Sequence, residues 1–409
     1  MNLEAARQVI RRCRLLAACS DEPGFTTRTF LSDSMRKVHG MMGVWMTAAG
    51  MEVRVDPAGN LRGVYAGASA DARRLLVGSH LDTVPHAGAF DGVLGVVIGL
   101  SLVETLHGTR LPYSIEVIGF SDEEGVRFGV PFIGSRALVG ELDTALLAVQ
   151  DADDVSVAQA IRNFKLDPSR MAEARADANP LGYLEFHIEQ GPLLESAECP
   201  LAVVDRISGR TCADVTFTGA AGHPGTTPMR NRRDAVAGAA EWIGCVEALA
   251  RGTNGLVATV GRIDVEPGAA NVIAGRCRVT IDIRHPDDHV RMAAAERLRA
   301  TAQELGARRR LQVDWTSRLD QPATAMDPQL VAMLARALEA AGAPMTVMSS
   351  GAGHDAMVLA PYMRTAMLFI RTPGGISHHP DESVDESDVA IAVATGRNFL
   401  DELAASGSV

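Results

Sequence analysis

Hydrophobic and polar residues alternate along this chain in two rhythms. Short apolar runs that end in polar residues predict buried β-strands at residues 73–80, 114–121, 182–191 and 366–371. Longer apolar or amphipathic stretches predict helices at residues 93–106, 327–342 and 387–403. Strands that alternate with helices in this way are typical of an α/β fold built on a central sheet.

The first 65 residues are predicted to be supporting structure. Residues 1–50 carry Met-rich apolar stripes at three- and four-residue steps, which predict helix and are typical of a packed core. Residues 51–65 alternate in polarity around a Pro-Ala-Gly-Asn turn and predict a β-hairpin.

The pattern changes between residues 208 and 319. Four β runs and two helices are predicted there in the order β-α-β-β-α-β, at residues 211–218, 234–250, 256–263, 276–283, 288–306 and 311–316. This order predicts a small ferredoxin-like α+β domain with one face of its sheet covered by two helices. We therefore expect residues 1–207 and 320–409 to form one α/β domain, into which residues 208–319 are inserted.

Composition narrows the range of partners. The 409 residues exceed the usual size of a single core, and a formal net charge of -11 argues against nucleic acid and anionic membrane surfaces. A small-molecule partner is therefore expected. The six cysteines show no C-x-x-C spacing and no run is long enough to span a membrane, so we expect free thiols and a cytoplasmic protein.

Metal-capable side chains follow three of the predicted strands. His80 and Asp82 end the first, Asp122-Glu-Glu124 follows the second, and His187 lies in the third, with Gln190 just beyond it. In open α/β sheets, ligands gather outside the carboxyl ends of the strands. Singly, His80 could be a core histidine, Asp91 a helix cap, and the acidic triplet a solvated loop. The repetition of the pattern favours a shared site.

The candidate ligands offer nitrogen and carboxylate oxygen without thiolate, a set suited to zinc, manganese, cobalt or nickel. They are His80, Asp91, Glu124, His187 and one of His378 or His379. A carboxylate such as Asp91 can bridge two ions, and paired ions are suited to hydrolysis of an amide bond.

Eight motifs then support a family resemblance. They are GSHLDTVP with FDG, SDEEGVRFG, FHIEQGPLLE, GAAGHPGTTPM with RRDA, NVIAG, DIRHP, SGAGHDA and GGISHHPDES. In order, and over nearly the whole chain, they resemble the hydantoinase/carbamoylase branch of the di-metal aminoacylase and carboxypeptidase clan. The resemblance implies a mixed-sheet, exopeptidase-like catalytic domain with an inserted ferredoxin-like dimerisation or lid domain. It also implies a homodimer whose active sites are shared between subunits.

The resemblance further implies a role for each matching residue. The metal ligands would be His80, Asp91, Glu124, His187 and His378, with Asp91 bridging; the adjacent His379 remains an alternative to His378. Asp82 would orient His80, Glu123 would be the general base, and His223 would donate to the oxyanion. The substrate would be held by Gln190, Asn271 and Arg284. Without the resemblance, Arg284 could be a surface arginine and His223 an ordinary loop histidine.

The expected reaction is hydrolysis of the ureido group of a small carboxylate substrate, such as an N-carbamoyl-L-amino acid or allantoate. An N-acyl-amino-acid amidase or dipeptidase of the same clan is the alternative enzyme. A metal-free binding or regulatory protein on this fold is the alternative of another class.

Overall fold

The inserted segment folds as a unit of its own. A computed structural model describes residues 3–406, and the chain separates into a first unit of Met1–Asp205, Ala325–Met348 and His354–Val409 and a second of Arg206–Thr324 and Ser349–Gly353. The strands are β1 (Glu52–Val55), β2 (Leu61–Tyr65), β3 (Arg74–His80), β4 (Ser114–Phe120), β5 (Gly182–Ile188), β6 (Leu201–Ile207), β7 (Gly209–Thr218), β8 (Val257–Thr259), β9 (Ile263–Glu266), β10 (Arg276–His285), β11 (Gln312–Gln321), β12 (Thr324–Ala325), β13 (Val347–Ser350) and β14 (Thr365–Ile370).

The helices connect these strands. They are α1 (Leu3–Ala17), α2 (Asp33–Ala48), α3 (Val93–Glu104), α4 (Ile133–Val139), α5 (Thr144–Leu147), α6 (Val157–Asn163), α7 (Leu193–Ser196), α8 (Ala235–Gly252), α9 (Asp288–Arg309), α10 (Pro328–Ala340), α11 (Asp355–Leu359) and α12 (Glu386–Ala405), with short 3₁₀ helices at Pro168–Ala174, Met229–Asn231 and Pro373–Gly375. Within residues 3–406, no helix combines the length and the apolar character needed to cross a bilayer.

The larger sheet is mixed, as predicted. Its strand order is β1-β2-β4-β3-β5-β14-β6-β12, with β13 also paired to β6. The central strands β4, β3, β5 and β14 are parallel, whereas β2 and β6 flank them antiparallel. The carboxyl ends of four neighbouring strands therefore lie at the same edge of the sheet.

Helix α3 packs directly over the parallel strands. Its residues from Val93 to Val103 are all buried, because it contacts β3, β4 and β5 as well as α1 and α12. The helix begins at Gly92, which has φ 67°. A β-carbon there would lie 2.4 Å from ring atoms of His80, so only glycine allows the helix start and the histidine to be this close.

The N-terminal prediction was correct for two helices but wrong for the segment between them. Helices α1 and α2 are separated by residues 18–32, which are not helical and include the Pro23-Gly24 turn. Proline and glycine end the helical pattern here. Arg28 lies in this segment, fully buried, and donates hydrogen bonds to the carbonyl oxygens of Leu16, Cys19 and Leu81.

The second unit has the predicted β-α-β-β-α-β order. Its sheet runs β11-β7-β10-β8, with β9 also paired to β10, and β7 and β10 are antiparallel over ten residues each. Buried residues alternate along β10 at Cys277, Val279, Ile281 and Ile283, and they pack with Trp242 of α8 and Leu298 of α9. The other face of this strand carries polar and charged side chains.

Two strand predictions need correction. The run 256–263 is not one strand, since residues 260–262 interrupt it and separate β8 from β9, although both pair with β10. Three residues oppose two at this point, so the ladder contains a bulge next to Gly261. The strand β6 was not predicted, although its first four residues are apolar and fully buried.

Candidate metal centre

The carboxyl ends of the parallel strands bring the predicted ligands together. His80 is the last residue of β3, Glu123 and Glu124 follow β4, and His187 is near the end of β5. Asp91 precedes α3, and His378 lies in the loop after β14. His80, Asp91, Glu123 and His187 are buried. Residues from five parts of the first unit thus converge at one edge of its sheet.

These side chains form two overlapping triads that share Asp91. In one, the potential ligand atoms of His80, Asp91 and His187 lie within 4.8 Å of one another. In the other, those of Asp91, Glu124 and His378 do so. Asp91 Oδ1 is 3.4 Å from His187 Nε2, and its Oδ2 is 3.0 Å from His378 Nε2. The two carboxylate oxygens of Asp91 therefore point to different triads.

Hydrogen bonds fix which ring nitrogens are available. His80 Nδ1 donates to the carbonyl oxygen of Asp82 at 3.0 Å, and His187 Nδ1 donates to that of Ile188 at 2.9 Å. Because a carbonyl oxygen only accepts, each neutral ring has its lone pair on Nε2. The two Nε2 atoms are 3.4 Å apart and next to Asp91. Lone pairs and a carboxylate that face one another are stabilised by a cation between them.

The adjacent histidines lie in different environments. His378 Nε2 is near both Asp91 and Glu124, at 3.0 and 3.5 Å. His379 instead accepts the backbone N–H of Asp381 on its Nδ1 and is exposed. Of the two alternatives, the structure brings His378 into a triad.

Asp82 holds the acidic loop rather than only the histidine. Its carboxylate oxygens accept the backbone N–H groups of Glu123 and Glu124, both at 3.0 Å. It contacts His80 mainly through its backbone carbonyl, while its carboxylate is 3.6 Å from His80 Nδ1. The expected orientation of His80 by the Asp82 side chain is therefore replaced by a backbone contact.

The local charge is strongly negative in the described residues. Burial, followed by the charge of Glu124, raises the pKa of Glu123 well above its ordinary value. Burial and the charges of Asp91 and Asp82 raise the pKa of Glu124 to about 8. Burial alone would raise the pKa of Asp91, but the hydrogen bond with His378 and the nearby histidines lower it. Divalent cations would offset this concentration of carboxylates.

Gln190 reaches the same triads from the end of β5. Its Nε2 donates to both carboxylate oxygens of Asp91, at 3.1 and 3.2 Å, and its backbone N–H donates to Thr372 Oγ1. Its amide oxygen is buried without a hydrogen-bond partner in the part of the chain that is described. This leaves one acceptor beside the candidate metal ligands.

The other predicted site residues belong to the second unit. His223 is exposed in the loop after β7, and its Nδ1 accepts the N–H of Gly225 at 3.1 Å, so its Nε2 carries the ring hydrogen. Asn271 is exposed in the neighbouring loop, which is joined to the first by a hydrogen bond from Ile273 N–H to the carbonyl of Gly222.

Arg284 lies at the opposite end of β10. The eight residue steps from Arg276 to Arg284 span about 27 Å at the usual strand rise. Arg284 donates from Nε and Nη2 to Asp282 at 2.8 and 3.0 Å, and from Nη1 to the carbonyl of Gly351 at 2.7 Å. Within this unit, Arg284 and the pair His223 and Asn271 are therefore at different ends of the sheet.

Comparison with known proteins places this geometry in a family. The sequence profile described as peptidase family M20/M25/M40 matches residues 76–402, more than half of the chain. The chain belongs to peptidase family M20/M25/M40.

Similar proteins support this assignment. The M20 chain is 37% identical to allantoate deiminase 1 of Glycine max, with 97% of this chain and 89% of that protein covered. It is 39% identical to the N-carbamoyl-L-amino acid amidohydrolase of Geobacillus stearothermophilus, with 90% and 91% covered. The crystal structure of a hydantoinase/carbamoylase family amidase from Burkholderia ambifaria is similar with a TM-score of 0.90 and 34% identity, with 98% and 97% covered.

Both the family and the clustered side chains indicate that this M20 chain binds divalent metal. The donor set is imidazole and carboxylate, which suits borderline divalent ions. Every candidate ligand lies in the first unit, so the cluster does not depend on the position of the second.

The sequence analysis missed several buried groups of the M20 centre. His354 stacks edge-on against His187 with ring centroids 4.4 Å apart, and together with Glu185 they form a further group of potential ligands. Glu382 Oε1 accepts the backbone N–H groups of Phe90 and Asp91, at 2.8 and 3.0 Å. The motifs SGAGHDA and SHHPDES contain His354 and Glu382, so a signal was present, but nothing in the local sequence shows these contacts.

Proposed function

We propose that this protein hydrolyses the carbamoyl C–N bond of a small ureido substrate that bears a carboxylate. An N-carbamoyl-L-amino acid or allantoate is such a substrate, and cleavage of its terminal carbamoyl group releases ammonia and carbon dioxide. The observation that carries this proposal is the pair of triads sharing Asp91, with the buried carboxylate of Glu123 alongside. The names of the similar enzymes agree with this chemistry.

We assign two divalent cations to the triads, with zinc, manganese, cobalt and nickel as candidates. His80, Asp91 and His187 would hold one, and Asp91, Glu124 and His378 the other. When bound, such ions supply Lewis acidity and offset developing negative charge. Asp82 would keep Glu123 and Glu124 in register through their backbone N–H groups.

Glu123 is assigned as the general base. It is adjacent to Glu124 in sequence, and the potential ligand atoms of His80 and of both glutamates lie within 4.8 Å of one another. With Glu124 engaged as a ligand, Glu123 is free to take a proton from the attacking water and deliver it to the leaving nitrogen. Burial beside other carboxylates gives Glu123 the high proton affinity that this role requires.

Gln190 is assigned to the ureido group. Its amide oxygen has no hydrogen-bond partner in the described chain, and a ureido NH₂ group supplies the donors that this oxygen lacks. An N-acyl-amino acid or a peptide has no NH₂ group at this position. The free acceptor therefore favours the ureido substrate over the amidase or dipeptidase alternative.

Residues of the second unit are assigned to the rest of the substrate. Arg284 would hold the carboxylate, while His223 Nε2–H and Asn271 would hold the carbonyl oxygen and its surroundings. A small ureide cannot span the roughly 27 Å between the two ends of β10. We therefore propose a homodimer in which a site takes Arg284 from one subunit and His223 and Asn271 from the other.

The second unit also has a surface suited to such pairing. The strands β8 and β9 form an edge of its sheet, and Val257 and Ile263 on them are more than half exposed. An open edge with apolar side chains can be covered by the same edge of a second copy across a two-fold axis.

The test is ammonia release after defined loading with each candidate metal. The panel contains N-carbamoyl-L-amino acids, N-carbamoyl-β-alanine, allantoate, N-acetyl amino acids and dipeptides. We expect ammonia from a ureido substrate and no turnover of the acetyl and peptide substrates. Faster release of amino acid from N-acetyl substrates would establish the amidase alternative, and no turnover of any compound by metal-loaded protein would favour a binding protein.

A further inference from the structure

A second arginine faces Arg284 on the open face of the smaller sheet. Arg210 of β7 is the direct cross-strand partner of Arg284 on β10. Between them lies Asp282, whose carboxylate accepts from Arg210 Nε at 2.7 Å and from Arg284 Nε and Nη2 at 2.8 and 3.0 Å. All three side chains are partly exposed, so a ligand can reach them.

The charges of this cluster do not balance. Two guanidinium groups surround one carboxylate, so one positive charge is left over. Burial alone would raise the pKa of Asp282, but the two arginines lower it, so this carboxylate is ionised at neutral pH. Arg284 and Asp282 alone would form a neutral pair, with one edge of the guanidinium already occupied.

We propose that Arg210 is a positioning residue of the substrate clamp, which neutralises Asp282 so that Arg284 keeps a positive charge for the substrate's carboxylate. This inference rests on the proposed function, because it takes Arg284 as the group that binds the carboxylate. It also specifies the substrate class, since a single surplus charge matches a ureide with one carboxylate.

The same sheet face contains a matched control. Asp214 of β7 is also paired with two arginines, Arg278 on β10 and Arg318 on β11. It lies four residues from Arg210 along the strand, or about 13 Å. This second cluster has the same composition and surplus charge but does not include Arg284.

The experiment compares Arg210→Leu and Arg318→Leu in the full-length, metal-loaded enzyme. For a carboxylate ureide, Arg210→Leu should raise KM about fivefold, the upper end for partly exposed charges, with kcat little changed. For the neutral amide of the same ureide, KM should not change. Arg318→Leu should leave both values at the wild-type level.

Two further readouts separate lost charge from lost packing. Arg210→Lys restores the charge and should return KM close to the wild-type value. Added salt should reduce kcat/KM for the carboxylate substrate in the wild type more than in Arg210→Leu, because screening acts on the charge that the variant lacks. In the double variant Arg210→Leu/Asp282→Asn, the surplus charge is restored, so KM should fall back towards the wild type.

Several results would overturn the inference. They are an unchanged KM in Arg210→Leu, an equal rise for the neutral amide, and an equal rise in Arg318→Leu. In these cases the wild type still hydrolyses ureides and the proposed function stands. If the wild type hydrolyses no ureide, the proposed function fails and the clamp fails with it.

Discussion

The carboxylate of Asp82 accepts the backbone N–H of Glu123 at 3.0 Å, across 41 residues of sequence. Its other oxygen accepts the N–H of Glu124 at the same distance. One buried side chain therefore fixes the backbone from which both the proposed base and a proposed metal ligand project. Its effect on catalysis can be separated from its effect on stability.

Asp82→Asn should reduce both stability and activity. An amide offers one acceptor oxygen, so one of the two N–H groups loses its partner, at a cost of about 1–3 kcal/mol. We expect a lower melting temperature, and roughly a tenfold lower kcat because Glu123 moves. The control is Asp56→Asn, since buried Asp56 also accepts two backbone N–H groups, from Ala58 and Asn60. An equal loss of kcat in the control would show that Asp82 only stabilises the fold.

Glu123→Gln and Glu124→Gln should have different effects. Glu123→Gln keeps size and hydrogen bonding but removes the base, so bound metal should be retained while activity falls by at least about 10²-fold. Glu124→Gln should instead lower the metal content, because it changes a ligand. Elemental analysis and initial rates measure the two effects, and near-normal turnover of Glu123→Gln would exclude the base assignment.

Metal removal should make stability decrease with rising pH. In the metal-free protein, the folded pKa of Glu124 is raised from 4.5 to about 8. Its contribution to stability is therefore fully present below pH 4.5 and is lost as the pH rises towards 8. Bound cations favour the ionised carboxylates, so the difference in melting temperature between metal-loaded and chelated protein should grow over this range. Parallel curves for the two forms would contradict the assignment of Glu124 as a ligand.

His39 should destabilise the protein in acid, far from the proposed reaction. It is buried in α2, where its two ring nitrogens have no hydrogen-bond partner within residues 3–406, and burial lowers its pKa to about 4. Its contribution is present above pH 6.5 and is lost as the pH falls towards 4, by up to about 3 kcal/mol. His39→Leu should flatten melting temperature against pH in this range without changing kcat at pH 7. An unchanged slope would assign the acid sensitivity to other groups.

Mixed dimers test the shared site. Glu123→Ala and His223→Ala should each be nearly inactive as homodimers. If sites are shared, a heterodimer has one intact site, because the subunit that retains Glu123 receives His223 from its partner. We expect about half of wild-type activity per heterodimer after subunit exchange, verified by native mass spectrometry. If His223 serves its own subunit, mixing restores nothing.

The elements whose signals are local could be predicted from sequence. The parallel strands and helix α3 are marked by apolar runs, and His80, Asp91, Glu124 and His187 follow from their places at or near element ends. The strand β6 was missed, because its apolar run is only four residues long and is followed by Asp205 and Arg206. The bulge beside Gly261 is also invisible locally, since it depends on pairing with β10.

The contacts between distant segments could not be predicted. Glu382 accepts the N–H of Asp91 across 291 residues, and Glu185 accepts that of Ala356 across 171. Neither glutamate has a local feature that distinguishes it from a surface residue. The pairing of Arg210 with Asp282 likewise requires the register of β7 on β10, which periodicity alone leaves open.

The glycine at the start of α3 limits how this chain can change over time. At position 92, an alanine methyl would occupy the space of the His80 ring and would also strain a backbone that favours glycine. A larger residue becomes acceptable only if the histidine is replaced as well, and that replacement removes a candidate ligand. Positions 80 and 92 can therefore vary only as a pair, so the helix start is inherited together with the centre although it contributes no side chain to it.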